Sequence, residues 1–298
     1  MLKNAYILLS SVKDEGDHLE AVLTSVLNQS IPPRRWYITN DGSTDRSTDI
    51  LRDFAAANPI IRLTENPPRE GRNWASKDRI VNASYKRAVS EIAFDFVGQQ
   101  DGDQAPAEKD FFERLLTEAN KNESIGALGG VVYERKAEPK YSSRPDDWLP
   151  RPCNASDSTP GSALFRRECF EATGGYLPLE YGGSDWLIQV DAQRAGYTVK
   201  VVPECRLLHY RQTNQSTVKG AFKAGLMDAS LGSDFLFELV KCARRLGHAP
   251  LGLPGSLRLA GYLYYRATRP PLIEADRSAF LRTLQRSKIS GKFARKTA

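Results

Sequence analysis

Along the first half of the chain, short runs of Ile, Val, Leu, Tyr and Phe alternate with longer stretches in which apolar residues return every three or four positions. The short runs predict strands at "YILLS" from Tyr6, "WYITN" from Trp36, "IIRLT" from Ile60, "FDFVGQ" from Phe94 and "ALGGVVYE" from Ala127. Between the first two lies "DHLEAVLTSVLNQS", where Leu19, Val22, Leu23, Val26 and Leu27 fall on one face of a helix. "STDILRDFAAANP" repeats that pattern, with Asn58 and Pro59 as its stop. Strand and helix in alternation predict an α/β fold, a mostly parallel sheet covered on both faces by helices. Beyond Arg211 the pattern becomes helical throughout, in "GAFKAGLMDASL", "DFLFELVKCARRLG" and "SLRLAGYLYYRAT". The expected organisation is therefore an α/β domain over residues 1–215 and a helical extension over 216–298.

Composition adds limits. The 298 residues are 41% hydrophobic and 26% charged, which suits one large core or two smaller ones and fits neither a disordered nor a membrane-spanning chain. The net charge of +6 permits an anionic partner, whether nucleic acid, an acidic membrane surface or a phosphorylated substrate, and does not choose among them. Cys153, Cys169, Cys205 and Cys242 are far apart in sequence, without a C-x-x-C pair, which disfavours a zinc site or a disulfide framework and fits a reducing, cytoplasmic setting. The opening apolar run is too short for a signal peptide and reads as the first strand.

In a sheet of this kind ligands bind beyond the carboxyl ends of the strands. After the first strand, "SSVKDEGD" carries neither G-x-G-x-x-G nor a P-loop. The second strand ends in "NDGSTD", where Asp41 either starts the next helix as an N-cap or accepts hydrogen bonds from a base N–H or a ribose hydroxyl. The fourth ends in "GQQDGDQAP". Two residues apart in an extended chain, Asp101 and Asp103 share a face, and Gly102 between them allows close backbone approach. Paired carboxylates need a cation, and few, hard oxygen ligands suit Mg²⁺ or Mn²⁺ held jointly with substrate phosphates. The bland alternative is a solvated turn with Pro106 opening the next helix. An EF-hand starting at Asp101 is disfavoured, since Pro106 and Phe112 stand where glycine and glutamate belong.

Five blocks, in order, carry a family resemblance: "SSVKDEGDHLEAVLTSVLNQSIPP", "WYITNDGSTDRSTDIL", "FVGQQDGDQAPAEKDFFERLL", "GSALFRRECFEATGGY" and "GGSDWLIQVDAQRAGYTVKVVPECRLLHYR". Together they resemble the family 2 glycosyltransferases, over about Tyr6 to Arg211, and the last block resembles a polysaccharide-biosynthesis branch. The resemblance implies a GT-A (Rossmann-like) fold and transfer of a sugar from a UDP-, GDP- or dTDP-linked donor to a glycan or lipid-linked acceptor, with inversion and with Mg²⁺ or Mn²⁺. Nucleic acid is not expected as a partner. By position, Asp41 matches the nucleoside-contacting aspartate, Asp101 and Asp103 the D-x-D that binds metal and diphosphate, and Asp185 the general base. Asp14 and Glu15 stand where the family has N-E, and Ser184 where an acid precedes the base. That last departure keeps open a second class, a GT-A-fold protein that binds without turnover. A nucleotidyltransferase is disfavoured, because no glycine-rich, arginine-containing loop follows the first strand.

Other residues carry two readings. Arg69, Arg72, Lys77 and Arg79 reach the nucleotide or form a solvated basic face, with Arg72 and Lys77 the candidates for donor contact. His209 is a third metal ligand, a diphosphate contact, or a histidine satisfied by hydrogen bonds. Asp185 doubles as an acidic N-cap, and Trp148 and Trp186 as acceptor platforms or core. The aperiodic segment between Lys136 and Ser158 reads as a loop shaping the acceptor site. From Arg277 onward seven basic residues occur without an acid, which suits a peripheral position on an anionic membrane surface at the inner face, or a helical cap with a frayed tail.

Overall fold

The computed structural model describes residues 4–68, 73–135, 148–150, 159, 162–211, 218–246 and 252–294. It forms two compact units, Met1–Pro178 with Ser184–Gln212, and Leu179–Gly183 with Thr213–Ala298. The sequence reading divided the chain once, after residue 215, and had no means of seeing that the short stretch 179–183 belongs to the second unit.

The first unit is built on β1 (Tyr6–Val12), β2 (Arg35–Asn40), β3 (Ile61–Glu65), β4 (Phe96–Gln99), β5 (Gln104–Pro106), β6 (Ile125–Arg135), β7 (Trp148–Pro150), β8 (Ala163–Arg166) and β9 (Thr198–His209). They make one sheet in the order β3-β2-β1-β4-β8-β6-β9-β5, with β7 on β6. Pairings among β3, β2, β1 and β4 are parallel, as is β6 with β9. Antiparallel pairings bring in β8, β7 and β5.

Alternation along β1 feeds two cores. Tyr6 and Leu8 face the side covered by α1 (Leu19–Leu27), α2 (Ser47–Ala57) and α4 (Phe111–Lys121). Ile7 and Leu9 face the side covered by α3 (Trp74–Glu91), α5 (Arg167–Thr173) and α6 (Ser184–Arg194). All four are fully buried, each worth about 1.5–3 kcal/mol as apolar burial. Leu19, Val22, Leu23 and Val26 of α1 are buried as the periodicity predicts, with Leu27 partly so. Asn58, forced toward extended backbone by Pro59, ends α2.

The second unit comprises α7 (Val218–Ser230), α8 (Phe235–Arg244), α9 (Leu253–Thr268) and α10 (Ala275–Ala294). Glycines let α7 and α9 touch backbone to backbone. A Cβ on Gly225 would collide with the Arg258 carbonyl oxygen, and one on Gly261 with that of Phe222. The region expected to fray is helical through Ala294, and Ser278, Leu281 and Gln285 of α10 are buried at helical spacing. Inside the unit, Arg258 of α9 donates to Asp228 of α7 and to Glu238 of α8, and Lys241 pairs with Asp228 at 2.7 Å.

That cluster sets a pH dependence. Burial pushes the Glu238 carboxyl up to about 7 from 4.5, and Asp228 adds to the rise against Arg258 and Lys241. The folded unit therefore keeps a proton that the unfolded chain releases between pH 4.5 and about 7. Glu238's contribution is present below that window and lost as pH rises through it, on the order of 3 kcal/mol. Thermal unfolding followed by circular dichroism should show a midpoint that falls across this window, and Glu238→Gln should flatten the fall. Parallel profiles for parent and variant would contradict the assignment.

Candidate active site

The polar residues singled out by sequence gather beyond the carboxyl ends of β1, β2 and β4. Asp41 follows β2 and is buried, its own N–H donating to the Val12 carbonyl at 2.8 Å. It is not an N-cap: Arg46 precedes α2, and the turn is closed by Asn40 Oδ1 and Asp45 Oδ1, which accept the amides of Ser43 and Ser47 at 2.9 Å. The Asp41 carboxylate instead accepts the Ser76 hydroxyl at 3.2 and 3.3 Å and the Asn66 amide at 3.4 Å.

Asp101 and Asp103 lie outside any strand. β4 ends at Gln99, and the two aspartates flank the turn that leads into β5, so strand alternation is not what orients them. Gly102 lets the turn press on the end of β1, since a Cβ there would stand 3.2 Å from Glu15 Cγ and 3.3 Å from Val12 Cγ2. Pro106 closes β5 rather than opening a helix; α4 starts at Phe111. Asp101 is gripped from several sides. Gln99 Nε2 donates to Oδ1 at 2.9 Å, Gln104 Nε2 to Oδ2 at 3.3 Å, and the backbone amide donates to Ser162 Oγ at 3.1 Å.

Lys77, in the first turn of α3, joins the parts. Its Nζ lies 2.9 Å from Asp101 Oδ1 and 3.5 Å from Asp185 Oδ1, with the lysine side chain 18% exposed. Burial would lower the lysine's pKa, but Asp101 and Asp185 more than reverse this and raise it, so the ammonium stays charged. Successive helical residues point about 100° apart. Ser76 thus meets Asp41 while Asp78, the residue after Lys77, accepts the Ser184 hydroxyl at 2.7 Å. Asp185 sits in the first turn of α6 with its side chain 42% exposed.

Asp103 faces a different set of partners. His209 Nε2 is 3.5 Å and Arg211 Nε 3.7 Å from its Oδ2, and the antiparallel pairing of Gln104 with His209 brings them there. Burial would raise the Asp103 carboxyl, but His209, Arg211 and Lys77 outweigh it and hold it below the usual range. Burial likewise opposes a charged His209, while Asp103, Asp101 and Glu134, whose Oε1 is 3.4 Å from Nδ1, raise its pKa. Arg211 also pairs with buried Glu15 at 2.5 Å. Asp14, at φ +52°, accepts the Thr44 amide at 2.8 Å and pairs with Lys13 at 3.5 Å, so it serves the neighbouring turn. Burial raises its pKa, and the Thr44 amide and Lys13 bring it below the ordinary value.

Sequence reasoning missed Ser76, Asp78, Glu134 and Arg211. The one signal on the page was the "HYR" run that sets Arg211 two residues beyond His209. Arg69 and Arg72 lie outside the described residues, as does most of the expected acceptor loop. Trp148 is buried edge-on against Tyr210, which stacks on His18, while Trp186 is half-buried on α6.

For a divalent ion, the donors on offer are Asp101, Asp103 and His209, two hard carboxylates and an imidazole. Among the described residues, no three His, Cys, Asp or Glu side chains close around one point. The set therefore fits an ion shared with a ligand's phosphates and does not fit an all-protein cage.

A parallel sheet extended by antiparallel strands, with a D-x-D turn beyond β4, defines a GT-A-type α/β protein. The chain belongs to Glycosyl transferase family 2, whose sequence model matches residues 9–174. Succinoglycan biosynthesis protein ExoA of Rhizobium meliloti (strain 1021) is 24% identical over 217 residues, covering 66% of this chain, and the match spans 60% of that relative's length. Among solved structures, the mannosyltransferase PcManGT from Pyrobaculum calidifontis, in complex with GDP-Man and Mn²⁺, superposes with a TM-score of 0.57 at 18% identity, covering 94% of this chain and 79% of that one. S. aureus TarS 1-349 in complex with UDP-GlcNAc gives a TM-score of 0.54 at 10% identity, covering 93% and 78%. At these identities the likeness is one of fold.

Lys77→Met should leave Asp101 and Asp185 without their shared cation. The expected cost is about 1–3 kcal/mol in denaturant unfolding, the penalty of a part-buried charged group losing its partner. An unchanged midpoint would show that water replaces the ammonium without cost.

Proposed function

We propose that the protein transfers a sugar from a UDP-, GDP- or dTDP-linked donor to an acceptor hydroxyl with inversion, in polysaccharide or glycolipid biosynthesis. The observation that carries this is Lys77, which ties Asp101 of the D-x-D turn to Asp185 through one ammonium. On this reading the diphosphate site and the proton acceptor lie a side chain apart. Asp41, oriented by Ser76, takes hydrogen bonds from the nucleoside. Asp101, Asp103 and His209 are the residues that would hold Mg²⁺ or Mn²⁺ together with the donor diphosphate, and the ion would supply charge neutralisation for the departing group. Asp185 accepts the acceptor's proton as its oxygen bonds to the anomeric carbon and the bond to the diphosphate breaks, the electron pair leaving with the diphosphate. Asp14 and Glu15 shape the donor site through Thr44 and Arg211. The acceptor is a glycan or a lipid-linked saccharide, met at the anionic inner face of a cell membrane from the cytoplasmic side.

The binding-only reading drew on Ser184. In the fold, the Asp78 carboxylate lies 2.7 Å from the Ser184 hydroxyl, so the first turn of α6 does not lack an acid.

Asp185→Asn tests the assignment. Deprotonation matters in the transition state and adds little to donor binding, so kcat should fall roughly 100-fold or more with donor affinity nearly constant. Asp185 is the second residue of α6 and not its N-cap, and asparagine there keeps the side chain's size while losing only a helix-end charge worth about 0.3–1 kcal/mol, so near-parental turnover would reduce Asp185 to a structural residue. Independently, Asp103→Ala should abolish the Mn²⁺-dependent part of donor affinity in calorimetry; unchanged metal dependence would remove Asp103 from the metal site.

A further inference from the structure

Within the helical unit, the first turn of α8 together with α9 and α10 lines an open cavity of about 850 Å³. Arg266 of α9 and Arg282 and Arg286 of α10 enter its wall, against one carboxylate, Asp234. That carboxylate is already committed. Its Oδ1 caps α8 by accepting the amides of Leu236 and Phe237 at 3.0 and 3.2 Å, and its Oδ2 takes Arg286 Nε at 2.6 Å. Arg282 donates to the Gly232 carbonyl at 3.2 Å, and Arg266 is exposed with no hydrogen bond or ion pair among the described residues. Two guanidinium groups thus face a cavity with no acid to balance them.

The rim is apolar. Phe235 is 50% and Leu236 56% exposed on the first turn of α8. They belong to a wider pattern: of nine large apolar side chains exposed among the described residues, seven are on this unit. Adjacent cationic and apolar surface is the signature of an interfacial site, where acyl chains receive the apolar groups and phosphates the arginines. Among the described residues no helix is long and apolar enough to cross a membrane, so contact of this kind is with the surface.

We propose that this cavity seats the phosphate of an anionic membrane lipid, with Arg266 and Arg282 on the phosphate oxygens and Phe235 and Leu236 entering the acyl region. This deepens the membrane-surface partner proposed above by giving it a site, and it rests on that reading and not on the chemistry at Asp185.

The full chain should be floated with vesicles of phosphatidylcholine alone and of phosphatidylcholine with phosphatidylglycerol. Parent protein is expected to favour the anionic vesicles, and Arg266→Glu to weaken that binding about 25-fold, since each charge near such a surface contributes roughly fivefold and the substitution changes two. Arg266 makes no hydrogen bond or ion pair among the described residues, so its unfolding midpoint should move only by the small cost of reversing a charge in the last turn of α9. Leu236→Asn should weaken the same binding with the net charge unchanged. Equal affinity of parent and Arg266→Glu, or binding indifferent to phosphatidylglycerol, overturns the proposal. Displacement by inorganic phosphate at matched ionic strength would assign the cavity to free phosphate, and a dimer lost on Arg266→Glu in sedimentation would assign the face to a second copy; either overturns the lipid assignment. Nucleotide-sugar affinity, measured on the same variants, should not move, which separates failure here from failure of the donor reading.

Discussion

The acidic face of the first unit depends on one ammonium. Asp101 and Asp185 come from distant parts of the chain and would repel at the separation that Lys77 spans, 2.9 Å to one and 3.5 Å to the other. Lys77 holds its place because α3 is long and seated on the sheet through Val81 and Ala88, both buried. The same turn presents Ser76 to Asp41 and Asp78 to Ser184. One turn of helix therefore references groups carried by β2, by the β4–β5 turn and by α6, and a shift in α3 would disturb all three.

The second unit meets the opposite difficulty, too little apolar interior for four helices. It answers by bringing backbones together at Gly225 and Gly261 and by placing charges inside: Asp228 is 1%, Glu238 0% and Arg258 4% exposed. Burying such a set contributes little net stability, because the desolvation cost offsets most of the attraction. What it does impose is geometry. Arg258 must meet Asp228 and Glu238 together, and that fixes the register of α9 against α7 and α8.

How much of this was legible in the sequence follows from range. β1 to β3 and helices α1 and α2 carry their apolar pattern over their own length, and β4, though only four residues long, continues a mostly apolar run from Phe94, so local pattern was enough, and the D-G-S and D-x-D motifs fell where strand ends were expected. Strands β5, β7 and β8 are three or four residues long and exist only because a longer neighbour supplies hydrogen bonds, as β9 does for β5. No window of three residues carries a period. The roles of Ser76, Asp78 and Arg211 were hidden for a related reason. Each partner lies at least 35 residues away, so composition around the residue says nothing about what it will meet. The mistaken account of Asp101 and Asp103 came from extending strand alternation past Gln99, where the chain turns.

Charge balance in the first unit gives the last step. Asp101, Asp103 and Glu15 each already have a cation, Lys77 for the first and Arg211 for the other two, with His209 beside Asp103 as well. The carboxylates are thus held in place and oriented by the protein's own side chains, which reduces the reorganisation a ligand must cause on arrival. It also constrains what can bind. A bare divalent ion would have to compete with Lys77 for Asp101 and with Arg211 for Asp103, leaving those cations without partners in a part-buried setting. A ligand bringing its own negative charges alongside the ion removes that conflict, because its phosphates can accept Lys77 and Arg211 while the carboxylates turn to the metal. On the proposed reading, metal and nucleotide-sugar diphosphate would therefore bind as a unit, each making the other's site electrostatically acceptable. The buried amide oxygens of Gln99 and Gln100, which lack a donor among the described residues, stand beside the same turn.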